Sequence, residues 1–180
     1  MGRIAGISIK NYGSLKEIKM GKLLSDTSQK ELTNMNAIIG QSGTGKSTLA
    51  DAFGFLADCL EKGVEQACDL NGRGGYEKIR SQGVNVPIEF EIYYRETSNE
   101  APITYEISIG LDKYSRPIVE KERLRQRRKN EKYGRPMSFL YLEYGKGYAF
   151  KGAEGGYDEE KNKEDGEKVD VELADSRQLG

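Results

Sequence analysis

The sequence predicts an α/β fold with a mixed sheet, in which a strand hairpin and one long helix precede an antiparallel β-meander. Three observations predict it. A glycine-rich segment lies between a short apolar run and a helical pattern, the second half alternates apolar with polar residues, and turn residues separate those alternating runs. At 180 residues, the chain has the length of one domain, which we expect to span residues 1–180.

The opening segment predicts a hairpin. Ile4, Ile7 and Ile9 have the spacing of a strand, and the turn residues 11–14 separate them from a second short strand pattern. Further on, residues 35–39 form an apolar run that stops at a glycine. Such a run predicts a buried central strand.

The glycine-rich segment is the most informative part of the sequence. Residues 40–47 read GQSGTGKS and match G-x-x-x-x-G-K-[ST] at every fixed position, after an apolar run and before a helix. In such a P-loop the backbone N–H groups bind phosphate, Lys46 reaches the β- and γ-phosphates, and the Ser47 hydroxyl binds Mg²⁺. The predicted nucleotide-binding residues are Gly40, Gln41, Ser42, Gly43, Thr44, Gly45, Lys46, Ser47 and Thr48, with Lys46 also catalytic.

The helix after the P-loop is predicted over residues 46–62, because Gly63 is a natural terminator. Its large apolar residues recur at spacings of four, three and four, at Leu49, Phe53, Leu56 and Leu60. This face is expected to pack on the sheet.

Two cysteines, Cys59 and Cys68, are too few for a zinc site and are expected to be buried free thiols.

The second half of the chain predicts strands at residues 88–94, 103–109, 118–124, 138–144 and 147–150, with a last strand near 169–173. This order differs from the βα repeats of P-loop kinases and GTPases, and no Asn-Lys-x-Asp motif is present. A P-loop kinase or a GTPase is therefore the function that the sequence favours least.

Positive and negative charges nearly balance over the whole chain. Lys and Arg number 28 and Asp and Glu 29, which excludes nucleic-acid binding through bulk charge. One hypothesis is that Arg125, Arg127 and Arg128 contact nucleic-acid phosphates, and the alternative is a solvated hairpin tip. Residues 151–168 have almost no apolar content and are expected to form a mobile loop.

Two absences limit the function. The chain has no histidine, which excludes catalytic triads that need His and zinc sites with His ligands. It also has no apolar run long enough for a membrane span and no signal-peptide pattern, so we expect a cytoplasmic protein with no membrane partner.

These motifs together resemble the N-terminal part of the ABC-type ATPase heads of the SMC and RecF-like class, within the AAA family. The resemblance rests on IKNYGSL at 9–15, the run 36–39 that leads into the P-loop, the Arg-Gly-Gly loop at 73–75 and the meander. It implies ATP and Mg²⁺ as cofactors, and it places Tyr12, Gly13 and Ser14 near the adenine. Ser42 stands where these families usually carry Asn.

The resemblance also implies parts that this sequence lacks: an apolar run ending in Asp-Glu and a signature loop. The chain is therefore expected to be an incomplete ATPase head, an ATP hydrolase only when a C-terminal portion completes it. Gln178, with Gln82 as the alternative, would be the catalytic glutamine that reaches Mg²⁺ and water.

Heads of this kind would dimerise around ATP and signal to an effector, such as a nuclease or another partner that acts on nucleic acid. DNA repair and antiviral (anti-phage) defence are the settings that the resemblance implies. The other hypothesis is a regulatory module that binds nucleotide without hydrolysing it.

Overall fold

The computed structural model describes residues 2–97, 100–126, 136–151 and 167–179. These residues form eight strands, three α-helices and a 3₁₀ turn at Leu70–Gly72. The helices are α1 (Lys46–Lys62), α2 (Val64–Asp69) and α3 (Tyr76–Ile79). The strands are β1 (Arg3–Tyr12), β2 (Leu15–Gly21), β3 (Ile88–Arg95), β4 (Ile103–Leu111), β5 (Pro117–Gln126), β6 (Met137–Glu143), β7 (Lys146–Lys151) and β8 (Glu167–Glu172).

All eight strands belong to one sheet in the order β2-β1-β3-β4-β5-β6-β7-β8. Every neighbouring pair is antiparallel. The predicted hairpin and meander are therefore confirmed, whereas the predicted mixed sheet is wrong for the described residues. The strands from β3 onward follow chain order, and antiparallel neighbours need no crossover helix.

The run at residues 35–39 is not the buried central strand that the sequence predicts. It pairs with none of the described strands, and Met35 and Ile39 are 88% and 94% exposed. An apolar run shows that a segment favours burial, but a central strand also needs neighbours on both sides to bond its backbone. The described residues provide no such neighbours for this run.

Helix α1 packs on one face of the sheet, and it has the predicted bounds. Its buried residues are Leu49, Ala52, Phe55, Leu56 and Cys59. The predicted face was wrong in part, because Leu60 is 59% exposed and Phe53 is only partly buried. The prediction followed the largest side chains, whereas small residues such as Ala52 allow the close approach of helix and sheet.

Three aromatic rings form the centre of this contact. The ring centroid of Phe55 lies 5.3 Å from that of Tyr12 and 6.2 Å from that of Phe90. Phe55 is fully buried, and the other two rings are nearly so. The rings join β1, β3 and α1, so they set the height of the helix above the sheet.

Both cysteines are buried free thiols, as predicted. Burial raises the pKa of Cys59 and raises that of Cys68 to about 12, so both stay protonated at neutral pH.

The bounds of the loop predicted at 151–168 are wrong at both ends, because residue 151 ends β7 and residues 167 and 168 begin β8. Residues 152–166, like Arg127 and Arg128, lie outside the described residues. Among the described helices, none is long and apolar enough to cross a membrane.

Replacing Phe55 with Ala removes the ring that joins helix and sheet, and we expect the free energy of unfolding to fall by about 3–5 kcal/mol. Leu60→Ala, on the exposed side of the same helix, should change it by no more than about 0.5 kcal/mol. Urea unfolding followed by circular dichroism measures both values. Equal losses would contradict the observed orientation of α1.

Candidate functional site

The P-loop leads directly into the first turn of α1. Gly43 and Gly45 have φ angles of 82° and 90°, in the left-handed region that favours glycine, and Gly45 is the N-cap of the helix. The backbone N–H groups of the first helical turn have no acceptor within the helix. They form the positive end of the helix dipole, which is suited to bind an anion.

The Lys46 side chain folds back over the P-loop. Its Nζ donates hydrogen bonds to the carbonyl oxygens of Gly40, at 2.7 Å, and Gln41. The Thr44 hydroxyl donates to the same Gln41 oxygen at 2.8 Å. The ammonium group is thus held at the loop. Its positive charge lies close to the N–H groups at the start of the helix, and both attract an anion.

The turn between β1 and β2 packs against the P-loop. The hydroxyl oxygens of Ser14 and Thr48 lie 3.1 Å apart, within hydrogen-bonding distance. A Cβ atom added at Gly45 would lie 2.9 Å from the Leu15 side chain, and one at Gly13 would lie 2.7 Å from the Thr48 methyl carbon. Ser14 and Thr48, both predicted site residues, are therefore brought together, and the two glycines permit the close approach.

Tyr12 lies in the core beneath this turn. It is 1% exposed, and its hydroxyl donates a 2.5 Å hydrogen bond to Asp51 of α1. Burial, followed by this hydrogen bond, raises the pKa of Tyr12 above its ordinary value. The structure thus places the ring against Phe55 and Phe90, and its predicted contact with adenine stays a prediction.

The structure does not bring Gln178 to the P-loop. The backbone N–H of Val64 donates to the carbonyl of Arg177 at 3.0 Å, which places Gln178 beside the C-terminal end of α1. That helix has 17 residues and is about 25 Å long, with the P-loop at its other end. A contact of Gln178 with a metal ion at the P-loop of the same chain is therefore not available in this arrangement.

Gln82, the alternative, lies nearer to the P-loop. The neighbouring Ser81 hydroxyl donates to the carbonyl oxygen of Gly13 at 2.8 Å, in the turn that packs on the P-loop. Gln82 itself is exposed. Sequence order favoured Gln178, but the pairing of residues 79–81 with the β1–β2 turn decides which glutamine lies closer.

Arg73 is the residue that sequence reasoning missed. Its side chain is 3% exposed and donates hydrogen bonds to Asp51 at 3.0 Å, Asp58 at 2.6 Å and the Ala67 carbonyl at 3.0 Å. The guanidinium also lies over the Phe55 ring, 5.5 Å from its centroid. The hydrogen bond from Arg73 lowers the pKa of Asp58 below its ordinary value.

A signal for this cluster exists in the sequence. Asp51 and Asp58 are seven residues apart, two helical turns on one side of α1, and an isolated arginine follows in the glycine-rich loop. The loop can bring Arg73 under the helix because Asn71, Gly72, Gly74 and Gly75 all have positive φ angles.

The residues of the P-loop fit the binding of a nucleoside triphosphate. The P-loop supplies backbone N–H donors and the Lys46 ammonium for the phosphates, and the Ser47 hydroxyl is exposed and free to meet a metal ion. No group of three acidic or cysteine side chains that could hold a metal occurs in the part of the chain that the structure describes. At the P-loop, Ser47 is the residue whose hydroxyl would bind a metal ion.

Comparison with known families shows a match to an AAA domain family. The family described as "AAA domain, putative AbiEii toxin, Type IV TA system" matches residues 35–154, two thirds of the chain. The match includes the P-loop, all three helices and most of the meander. No curated protein and no solved structure shows significant similarity to this sequence.

Arg73→Met would leave Asp51 and Asp58 facing a buried space without their cation. We expect a loss of about 2–4 kcal/mol in the free energy of unfolding, below the full cost of a broken buried pair because Asp51 stays partly hydrated. Arg80→Met is the control, since Arg80 pairs with the exposed Glu77 and should cost less than about 1 kcal/mol. Equal losses in thermal or urea unfolding would contradict the role assigned to Arg73.

Proposed function

The chain belongs to the AAA domain family whose description includes a putative AbiEii toxin and a type IV TA system, and from this membership we propose that it binds ATP with Mg²⁺ as one half of an ABC-type, SMC-like ATPase head. The P-loop at the start of α1 is the observation that carries the proposal. Lys46 neutralises charge on the β- and γ-phosphates, the N–H groups of the first turn bind phosphate oxygens, and Ser47 binds the metal ion.

The exposed run at residues 35–39 supports the second part of the proposal, that this is a half-head. Two isoleucines and a methionine stand in water immediately before the P-loop, with Ile38 53% exposed and Ile39 94% exposed. A strand from the other half of the head would cover these side chains and bond the backbone. It would also bring its acidic residues beside the phosphates.

Two such heads would enclose ATP between them and form a homo-oligomer, and the assembly would signal to an effector. In the cytoplasm that effector would be a nuclease or another partner that acts on nucleic acid, in anti-phage defence or DNA repair. The family description names a putative toxin and a TA system, and this name fits a role in anti-phage defence better than a role in DNA repair.

A regulatory module that binds nucleotide without hydrolysing it is the second candidate. The observation that favours it is that no run of four apolar residues followed by Asp-Glu occurs in the 180 residues. ATP binding is common to both candidates. They differ in whether hydrolysis begins when a second polypeptide is supplied.

ATP binding depends on Lys46 in either case. We expect Lys46→Ala to weaken the binding of a fluorescent ATP analogue by at least about 10-fold, because a charge-assisted contact to the phosphates is lost. Lys62→Ala, a change of the same kind at the other end of α1, is the matched control and should bind as the native chain does. Unchanged affinity in Lys46→Ala would contradict nucleotide binding by the P-loop.

Turnover separates the half-head from a complete enzyme. We expect the purified chain to bind ATP and Mg²⁺ yet release phosphate no faster than Lys46→Ala does, because the acidic residues that orient water are absent. Phosphate release is measured with a coupled assay at saturating ATP. Steady turnover that Lys46→Ala abolishes would contradict the half-head.

A further inference from the structure

The sheet has a second face, opposite to the helices, on which three rings lie together. Ile107 of β4 lies in the core between the helices and the sheet. It pairs with Glu122 of β5, and Glu122 pairs with Leu142 of β6, so these three residues lie on the helix side of the sheet. The neighbouring residue Tyr141 therefore points to the opposite face. Tyr148 pairs with Tyr141 across the strands, and Phe150 follows two residues later on the same side. We call Tyr141, Tyr148 and Phe150 the aromatic platform.

The three rings are neighbours in space. The centroids of Tyr141 and Tyr148 are 5.9 Å apart with their planes at 30°, and those of Tyr148 and Phe150 are 5.9 Å apart and nearly perpendicular. Each ring is partly exposed. Rings on a sheet surface with this spacing can each present an edge or face to a flat ligand.

Cations flank the aromatic platform on both sides. Arg123 and Lys121 of β5 lie 5.6 and 5.8 Å from the Tyr141 centroid, and Lys168 of β8 lies 4.4 Å from the Tyr148 centroid. Within the described part of the chain none of these three cations makes an ion pair. In contrast, Arg125 of β5 and Lys146 of β7 are paired with Glu106 and Glu172.

We propose that the aromatic platform and its three cations bind single-stranded nucleic acid. Unpaired bases would stack on Tyr141, Tyr148 and Phe150, and the phosphates between them would contact Lys121, Arg123 and Lys168. A duplex keeps its bases stacked on each other and could use only the cations. The site lies on the sheet face away from the P-loop helix, so it does not depend on ATP binding.

Two acids limit the contribution of charge. Glu143 accepts a hydrogen bond from the Tyr141 hydroxyl, and Asp170 pairs with Tyr148 across β7 and β8. Stacking therefore has to provide most of the affinity. With three phosphate contacts, the slope of log K against log salt should be about −2.

The test is fluorescence anisotropy with labelled dT12 and with a 12-base-pair duplex, at several salt concentrations. The chain has no Trp, so tyrosine fluorescence gives a second signal, and the part of its quenching that Tyr148→Leu removes reports stacking on the platform. We expect dT12 to bind more tightly than the duplex. Tyr148→Leu should weaken dT12 binding about 10-fold, and Lys168→Gln should reduce the magnitude of the salt slope by about 0.7.

Tyr114→Leu is the matched control. Tyr114 is 66% exposed and lies within 5.2 Å of two cations, Lys113 and Arg116, but it stands alone on the turn between β4 and β5. It should bind dT12 as the native chain does. Thermal unfolding of each variant establishes that the fold is retained. Lys46→Ala, which is expected to weaken ATP binding, should leave dT12 binding unchanged.

Several results would overturn the proposal. They are equal binding of duplex and dT12, no loss in Tyr148→Leu, an equal loss in Tyr114→Leu, and poly-glutamate binding as tightly as dT12. Absence of dT12 binding even at low salt would overturn it as well. None of these outcomes bears on ATP binding, so the proposed function stands or falls separately.

Discussion

The position of the P-loop helix depends on a buried cation. Arg73 cannot lose its proton at any ordinary pH, so its guanidinium has to keep charged or polar partners wherever it is buried. Those partners are two carboxylates of α1 and a carbonyl of α2, so Arg73 joins the two helices. Asp51 extends the contact to Tyr12, and the turn that follows Tyr12 meets Thr48. The ionic contact of Arg73 thus reaches the P-loop through Asp51, Tyr12 and the turn that follows Tyr12.

The local elements were predictable from the sequence, and the long-range contacts were not. Glycines and periodicity place the bounds of α1 at residues 46–62, and alternation locates the meander strands, because both patterns depend on neighbours a few residues away. The Arg73 cluster joins residues 22 and 15 positions apart. Such a contact depends on how the loop at 70–75 folds back, which no periodicity encodes.

The candidate site divides in the same way. The P-loop motif identifies residues 40–48 by itself, since a single continuous segment forms the loop and the first helical turn. Gln178 was assigned by its order in the chain, and the sheet carries it instead to the far end of α1. The run at 35–39 shows a further limit. Its apolar residues predict burial, and that prediction is wrong for Met35, Ile38 and Ile39, because burial requires partners that the described residues do not provide.

The order of the strands bears on how the molecule folds. From β3 to β8 each strand pairs with the next one in the chain, so the meander can grow by local contacts, whereas β1 pairs with β3 only when residues 22–87 are closed into a loop. Closure of a long loop is slow because its entropy cost comes before its contacts form. The P-loop and α1 lie within that loop. The nucleotide site should therefore form late in folding, and the pairing of β1 with β3 is the step that completes it.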